Sequence, residues 1–276
     1  MRSARPQVRC AALLVGIVLA LFAPLHAQGT APAKIKLGSE TAKNGFKNED
    51  EIRDKFNDWR NDHDAREWLI AMNFDPSKIE SVVAAKPHGE KADVEITVTT
   101  ADGVRKEGIS IKLVSSANGF NQVDKRWLAT YARMWKMPDD VHNSLKFFVG
   151  EVPPAAKSRD PKRMYLNELS DDERQAVLDF FTANKDKIAA DLIAGSGVHA
   201  ARWVMVAYKA TDDTRWVIRS ASDAIKYFSE GDVELTRTGN LKIGRITMQR
   251  KGGDGGRETA KMLQFKINPV QLFPAQ

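Results

Sequence analysis

The chain has 276 residues, 42% of them hydrophobic and 28% charged, which suits a soluble globular protein with one large domain and a real core. Three charges of the net +6 come from Arg2, Arg5 and Arg9, so the body carries about +3, too little alone to demand a nucleic-acid partner. The single cysteine, Cys10, leaves the body without a disulfide, a thiolate zinc site or a cysteine nucleophile.

Residues 1–27 read as a secretory signal peptide. Arg2, Arg5 and Arg9 form the basic start, Cys10 to Phe22 the apolar run, and Leu25-His26-Ala27 the cleavage site. The apolar run is too short to span a bilayer comfortably. The competing reading is a mis-assigned start codon. A leader places the protein in the periplasm or outside the cell, and a false start places it in the cytoplasm. Residues 28–36, small and Pro-containing, read as a linker, and residues 37–276 as a single domain.

Helical periodicity runs from Asn44 to Met72, through Phe46, Ile52, Phe56, Trp59, Trp68 and Leu69. Asp75-Pro76-Ser77 opens a short helix. From Asp93 to Thr99, Val94, Ile96 and Val98 alternate with Asp93, Glu95, Thr97 and Thr99, which predicts a half-buried strand. Ala101-Asp102-Gly103 makes the turn. The return strand runs from Gly108 to Val114, with Ile109, Ile111 and Leu113 on one face and Ser110 and Lys112 on the other. A second helix is expected over Gln122 to Lys136, burying Val123, Trp127, Tyr131, Met134 and Trp135. Ser170-Asp171-Asp172-Glu173 is a capping box that opens a helix ending near Gly195. Strands are expected at Arg202 to Tyr208, Thr214 to Ser220, Asp232 to Leu235, Lys242 to Met248 and Met262 to Ile267, with a helix around Ser222 to Phe228. The fold class is therefore mixed α/β, a central sheet flanked by helices, without an internal repeat.

The hairpin carries the chemistry. Its period of two puts Ser110 and Lys112 on one face, and the neighbouring strand brings Asp93 beside them. A carboxylate and an ammonium converging at a sheet edge suit metal-assisted phosphodiester hydrolysis. The carboxylate holds Mg²⁺, the lysine orients or deprotonates a water, and the Ile111 carbonyl is a further oxygen donor. By itself this spacing is common, and a surface strand with a solvated lysine is the simpler reading of it.

Three longer segments are far more specific. They are Leu37-Gly-Ser-Glu-Thr-Ala-Lys-Asn-Gly-Phe-Lys-Asn-Glu, ending at Glu49; Gly119-Phe-Asn-Gln-Val-Asp-Lys-Arg-Trp-Leu; and Gln249-Arg-Lys-Gly-Gly-Asp-Gly-Gly-Arg-Glu-Thr, followed by Met262-Leu-Gln-Phe-Lys-Ile. Together they closely resemble the HinP-type type II restriction endonucleases, which cut GCGC and belong to the PD-(D/E)XK nuclease superfamily. The resemblance runs from about Leu37 to Phe273.

The resemblance implies a restriction-endonuclease-like core and a sequence-specific, Mg²⁺-dependent endonuclease of double-stranded DNA. Asp93 then matches the metal-binding aspartate and Lys112 the catalytic lysine. Ser110 falls where the superfamily has Asp or Glu and HinP-type enzymes have glutamine, so the metal loses a ligand. Glu49 resembles the first-helix glutamate that many members direct at the metal. Glu95 is the competing candidate, and each also reads as an ordinary acid, at a helix start or on a solvent-facing strand.

For DNA, the resemblance points to two segments. In Asn118 to Lys125, Phe120 or Gln122 would wedge into the base stack, while Lys125 and a helix N-terminus near Asn121 would hold phosphates. In the glycine-rich segment, Arg250, Lys251 and Arg257 suit guanine and Asp254 suits cytosine. A core-capping Phe120 and a plain hairpin turn are the simpler readings of those segments. GCGC is palindromic, so a homodimer or one subunit acting twice must cut both strands. The alternatives are a DNA-binding protein of the same fold with decayed catalysis, signalled by Ser110, and an exported nuclease of loose specificity. The five histidines show no zinc spacing. No small-molecule cofactor and no membrane contact beyond the leader are expected.

Overall fold

Alternating apolar residues settle the central sheet. Val94, Ile96 and Val98 of β2 (Val94–Thr100) and Ile109 and Ile111 of β3 (Gly103–Val114) are all buried on one face. A computed structural model describes residues 31–87, 91–253 and 256–274. In it β1 (Ile79–Ala85) pairs antiparallel with β2, and β2 with β3. β3 then pairs parallel with β5 (Trp203–Ala210), which pairs antiparallel with β6 (Asp213–Ser220). The order is β1-β2-β3-β5-β6.

One face of this sheet packs on α1 (Ala31–Asn57) and α2 (His63–Ala71). Ile52, Phe56, Trp59, Trp68 and Leu69 meet Val82, Ile96, Ile109, Ile111 and Met205 there. Two helices replace the one expected from Asn44 to Met72, because Asp62 caps a new start, its side chain accepting from Ala65 N at 2.8 Å. α1 also begins inside the segment read as a linker, and Phe46 is exposed rather than buried. Burial raises the Asp62 carboxyl, but hydrogen bonds from Lys55 and the helix amides outweigh it and hold the group below 3.8. Asp62→Ala is expected to cost about 1 kcal/mol, read by urea unfolding at neutral pH. That difference is full above the ordinary carboxylate range and fades as pH falls through the lowered value.

The other face meets a second, all-antiparallel sheet and five helices. Its order is β4-β10-β9-β8-β7, made of β4 (Asn121–Arg126), β7 (Val233–Leu235), β8 (Leu241–Ile243), β9 (Ile246–Arg250) and β10 (Leu263–Ile267). The helices are α3 (Leu128–Trp135), α4 (Asp139–Val149), α5 (Asp171–Ala183), α6 (Lys185–Ile193) and α7 (Ala221–Ser229). Val114, Val204 and Val206 face this larger core.

The helix expected over Gln122 to Lys136 is therefore corrected. Its first part is β4, in register with β10 through Gln122↔Lys266 and Lys125↔Gln264, and only Leu128–Trp135 is helical. Long-range pairing overrides the helical period, and Trp127 becomes an exposed, extended residue before α3. The Ser170 capping box forms as expected, but the helix breaks at Asn184 into α5 and α6. The strand expected over Lys242 to Met248 splits into β8 and β9 at Gly244, whose φ of +57° and approach to Ser229 exclude a side chain. Neither β1 nor α4 is among the expected elements.

Candidate active site

The site forms where β2 and β3 part. Asp93 N donates to the Ile109 carbonyl at 2.9 Å, and Val94↔Ile109 is the last paired register. Beyond it, the amide and carbonyl of Ile111 on the same edge have no strand partner. The Asp93 carboxylate takes the amide, with Ile111 N to Oδ2 at 2.6 Å. The Lys112 ammonium takes the carbonyl at 3.1 Å and also donates to Ser110 Oγ at 2.9 Å. Lys112 Nζ lies 3.8 Å from Asp93 Oδ2, and Ser110 Oγ donates to the same oxygen at 3.3 Å. The structure thus brings Asp93, Ser110, Ile111 and Lys112 into one cluster. Ser110 is only 1% exposed.

Glu49 and Glu95 part company here. Glu49 stands on α1, paired with Lys86 at 2.9 Å. Burial raises its carboxyl, opposed by the Lys86 hydrogen bond and raised again by the charge of Asp93, so it sits within electrostatic reach of the cluster. Glu95 is committed elsewhere, to His199 Nδ1 at 3.2 Å and Lys106 at 3.3 Å. Among the described residues no three His, Cys, Asp or Glu side chains gather as a metal cluster.

Behind the cluster lies a cavity of about 330 Å³, whose lining includes Lys91, Asp93, Ser110, Lys112, Asp124 and Arg126. The Asp124 carboxylate accepts from Tyr131 Oη at 2.6 Å and from Arg126 Nη2 at 3.1 Å, and Arg126 Nε lies 3.0 Å away as an ion pair. Lys91 Nζ donates to the Val123 carbonyl at 2.9 Å and reaches Asp124 Oδ2 at 3.5 Å. Burial first, and then the charge of Lys112, push the Lys91 ammonium down to about 8. Burial and the Asp124 charge push the Tyr131 phenol upward, so it stays a donor. Sequence reading missed this group. The alternation of Asp124 and Arg126 marks it only once β4 is known to be a strand.

On the other side, between α1, β3 and β4, a cavity of about 500 Å³ is bordered by Lys112, Asn121 and Gln122. Asn48 of α1 borders it too, and its buried side-chain amide has no hydrogen-bond partner. Phe120 is 61% exposed just ahead of β4, and Asn118 and Gln122 are exposed. Asn121 does not start a helix. It is the first residue of β4, and its side chain donates to the Leu113 carbonyl at 2.9 Å, tying β4 to the end of β3. The phosphate-holding helix end expected there is therefore absent, since α3 begins at Leu128.

The glycine-rich segment leaves the far end of this sheet. Leu263 of β10 pairs with both Arg126 of β4 and Arg250 of β9, whereas Phe120 precedes the opposite end of β4. The two groups of candidate DNA readers are thus separated by β4, roughly 20 Å at 3.4 Å per residue. Lys251 N and Gly252 N donate to the carbonyls of Met262 and Ala260, prolonging the hairpin, and Arg257 is exposed ahead of a short 3₁₀ turn. Burial, then the charge of Arg163, push the Arg250 guanidinium down, and its buried Nε has no partner. Asp254 lies outside the described residues, as do residues 1–27 with the leader.

A mixed sheet flanked by helices is an architecture that this chain shares with a solved restriction endonuclease. The chain matches the crystal structure of restriction endonuclease MspI in complex with its cognate DNA with a TM-score of 0.55. The match covers 77% of this chain and 80% of that one, at 13% sequence identity. No curated protein matches the sequence. The family model described as R.HinP1I restriction endonuclease matches residues 72–273, and the chain belongs to that family. It is a type II site-specific deoxyribonuclease.

Proposed function

We propose that the protein hydrolyses double-stranded DNA at a GCGC-type site with Mg²⁺, using Asp93 and Lys112 at the mouth of β2 and β3. The observation that carries this is the 3.8 Å approach of Lys112 Nζ to an Asp93 carboxylate. The resemblance to HinP-type enzymes supports the sequence of the site.

The donors fit one hard divalent cation. Asp93, the Ile111 carbonyl and Glu49 all offer oxygen, and every protein contact of the Asp93 carboxylate above falls on Oδ2, leaving Oδ1 to another partner. Mg²⁺ bound there would neutralise charge on the phosphate and ease deprotonation of a water. Lys112 orients that water through its ammonium and offsets negative charge building on the phosphate, while Ser110 Oγ accepts from Nζ and fixes its place. Phe120 or Gln122 opens the duplex beside the cleaved bond. Arg250, Lys251, Asp254 and Arg257 read guanine and cytosine edges, about 1–3 kcal/mol for each bidentate contact. Asn118 and Lys125 contact the backbone. Both strands are cut by a homodimer on the palindrome or by one subunit acting twice.

Purified protein incubated with plasmid and Mg²⁺ tests this reading. Discrete GCGC fragments support it. An intact plasmid with a gel shift supports instead a DNA-binding protein with weakened catalysis, the reading that Ser110 favours, and a smear supports a nuclease of loose specificity. Ser110→Glu adds a carboxylate beside Asp93, so the Mg²⁺ concentration for half-maximal cleavage is expected to fall severalfold, with a smaller change for Ser110→Gln. An unchanged or raised Mg²⁺ requirement in both variants would overturn the weak-ligand account of Ser110. We propose export if the leader is cleaved; N-terminal sequencing of the native protein that finds residues 1–27 retained would oppose it.

A further inference from the structure

Lys91 is a largely covered cation whose nearest carboxylate already serves another. Asp124 is held by Arg126 at 3.0 and 3.1 Å and by Tyr131 at 2.6 Å, while Lys91 reaches it only at 3.5 Å. An ammonium has three donors, and the Val123 carbonyl and Asp124 account for two. The stem is closely confined, because a Cβ added at Gly195, where φ is +69°, would come within 2.9 Å of Lys91 Cβ. The ammonium therefore sits at the wall of a cavity that it shares with Asp93, Ser110, Lys112 and Arg126. Keeping an under-compensated cation buried is costly, and an arriving anion removes the cost.

Resting on the nuclease reading, we infer that Lys91 contacts a non-bridging oxygen of the phosphodiester being cut. It supplies there a fixed positive charge on the side where Ser110 leaves no acid to hold a second cation. Lys112 cannot fill both places, since Ser110 Oγ, the Ile111 carbonyl and Asp93 already surround its ammonium. Asp124 and Arg126 act as positioning residues, holding Lys91 between the two sheets.

A substrate-charge cycle tests the contact without relying on turnover. Duplexes carrying one uncharged methylphosphonate at successive positions across the site are bound, without divalent cation, to wild type, Lys91→Met and Lys91→Arg. The cut position is mapped separately with Mg²⁺ on unmodified DNA. At that position, neutralising the phosphate is expected to weaken wild type and Lys91→Arg by about tenfold to a hundredfold, the range of a charge-assisted hydrogen bond. Lys91→Met should bind charged and neutral duplexes alike. Equal losses in wild type and Lys91→Met overturn the contact and leave Lys91 as a tie between sheets, as does a difference confined to another phosphate. A wild type that neither binds nor cuts the unmodified duplex overturns the nuclease reading itself, which keeps the two failures apart.

Discussion

Lys112→Ala is expected to lower the cleavage rate by about 10²–10⁴-fold while leaving DNA affinity within a few fold. The ammonium is the one group in hydrogen-bond contact with both Ser110 Oγ and the Ile111 carbonyl, and it lies 3.8 Å from Asp93. Truncating it removes the charge that orients the water and steadies the phosphate, and leaves the Asp93 carboxylate in place, still held by the Ile111 amide at 2.6 Å. The fold should survive, because the side chain faces a cavity rather than the apolar core. Single-turnover cleavage beside a binding titration separates the two effects. Full-rate cleavage by Lys112→Ala would sink the proposed centre.

Phe265→Ala is expected to destabilise the protein by about 3–5 kcal/mol, a large share of the stability of an ordinary domain. Phe265 is fully buried on β10, edge-on to Tyr131 at 5.2 Å and to Trp135 at 5.5 Å. Its strand lies between β4 and β9, and the Tyr131 hydroxyl beneath it holds Asp124. The cavity therefore loosens the second sheet at the strand that borders the site. A fall in urea midpoint with an unchanged denaturant slope is the expected signature. A loss under about 1 kcal/mol would mean that the aromatic cluster repacks around the gap.

Much of the site is legible in the chain because its residues are close in sequence. Asp93, Ser110 and Lys112 belong to one hairpin, and a two-residue period assigns their faces without knowledge of the rest. The same local logic gives the Ser170 capping box and the turn at Gly103. The DNA-side segments are legible as specific runs of residues, yet their placement is not. Val123 and Trp127 sit at helical spacing from Tyr131, and only the pairing of Asn121 and Lys125 with Ile267 and Gln264 of β10 makes that stretch a strand. α4 carries readable signals, Pro138 before Asp139 and Asp140 and buried Val141, Leu145, Phe148 and Val149 at helical spacing. β1 is harder to read, since a bulge between Ile79 and Ser81 breaks its alternation.

By itself the sequence determined which strands carry Asp93, Ser110 and Lys112, and which family the chain resembles. These follow from short-range periodicity and from runs of residues that chance does not repeat. Only the tertiary structure decided that Ile111 is left unpaired where β2 and β3 part, that Glu49 rather than Glu95 borders the cluster, and that Lys91 joins it across the gap to β4. The reason is physical: those relations are made by backbone groups and charges from distant segments, and they exist only after two sheets have packed together.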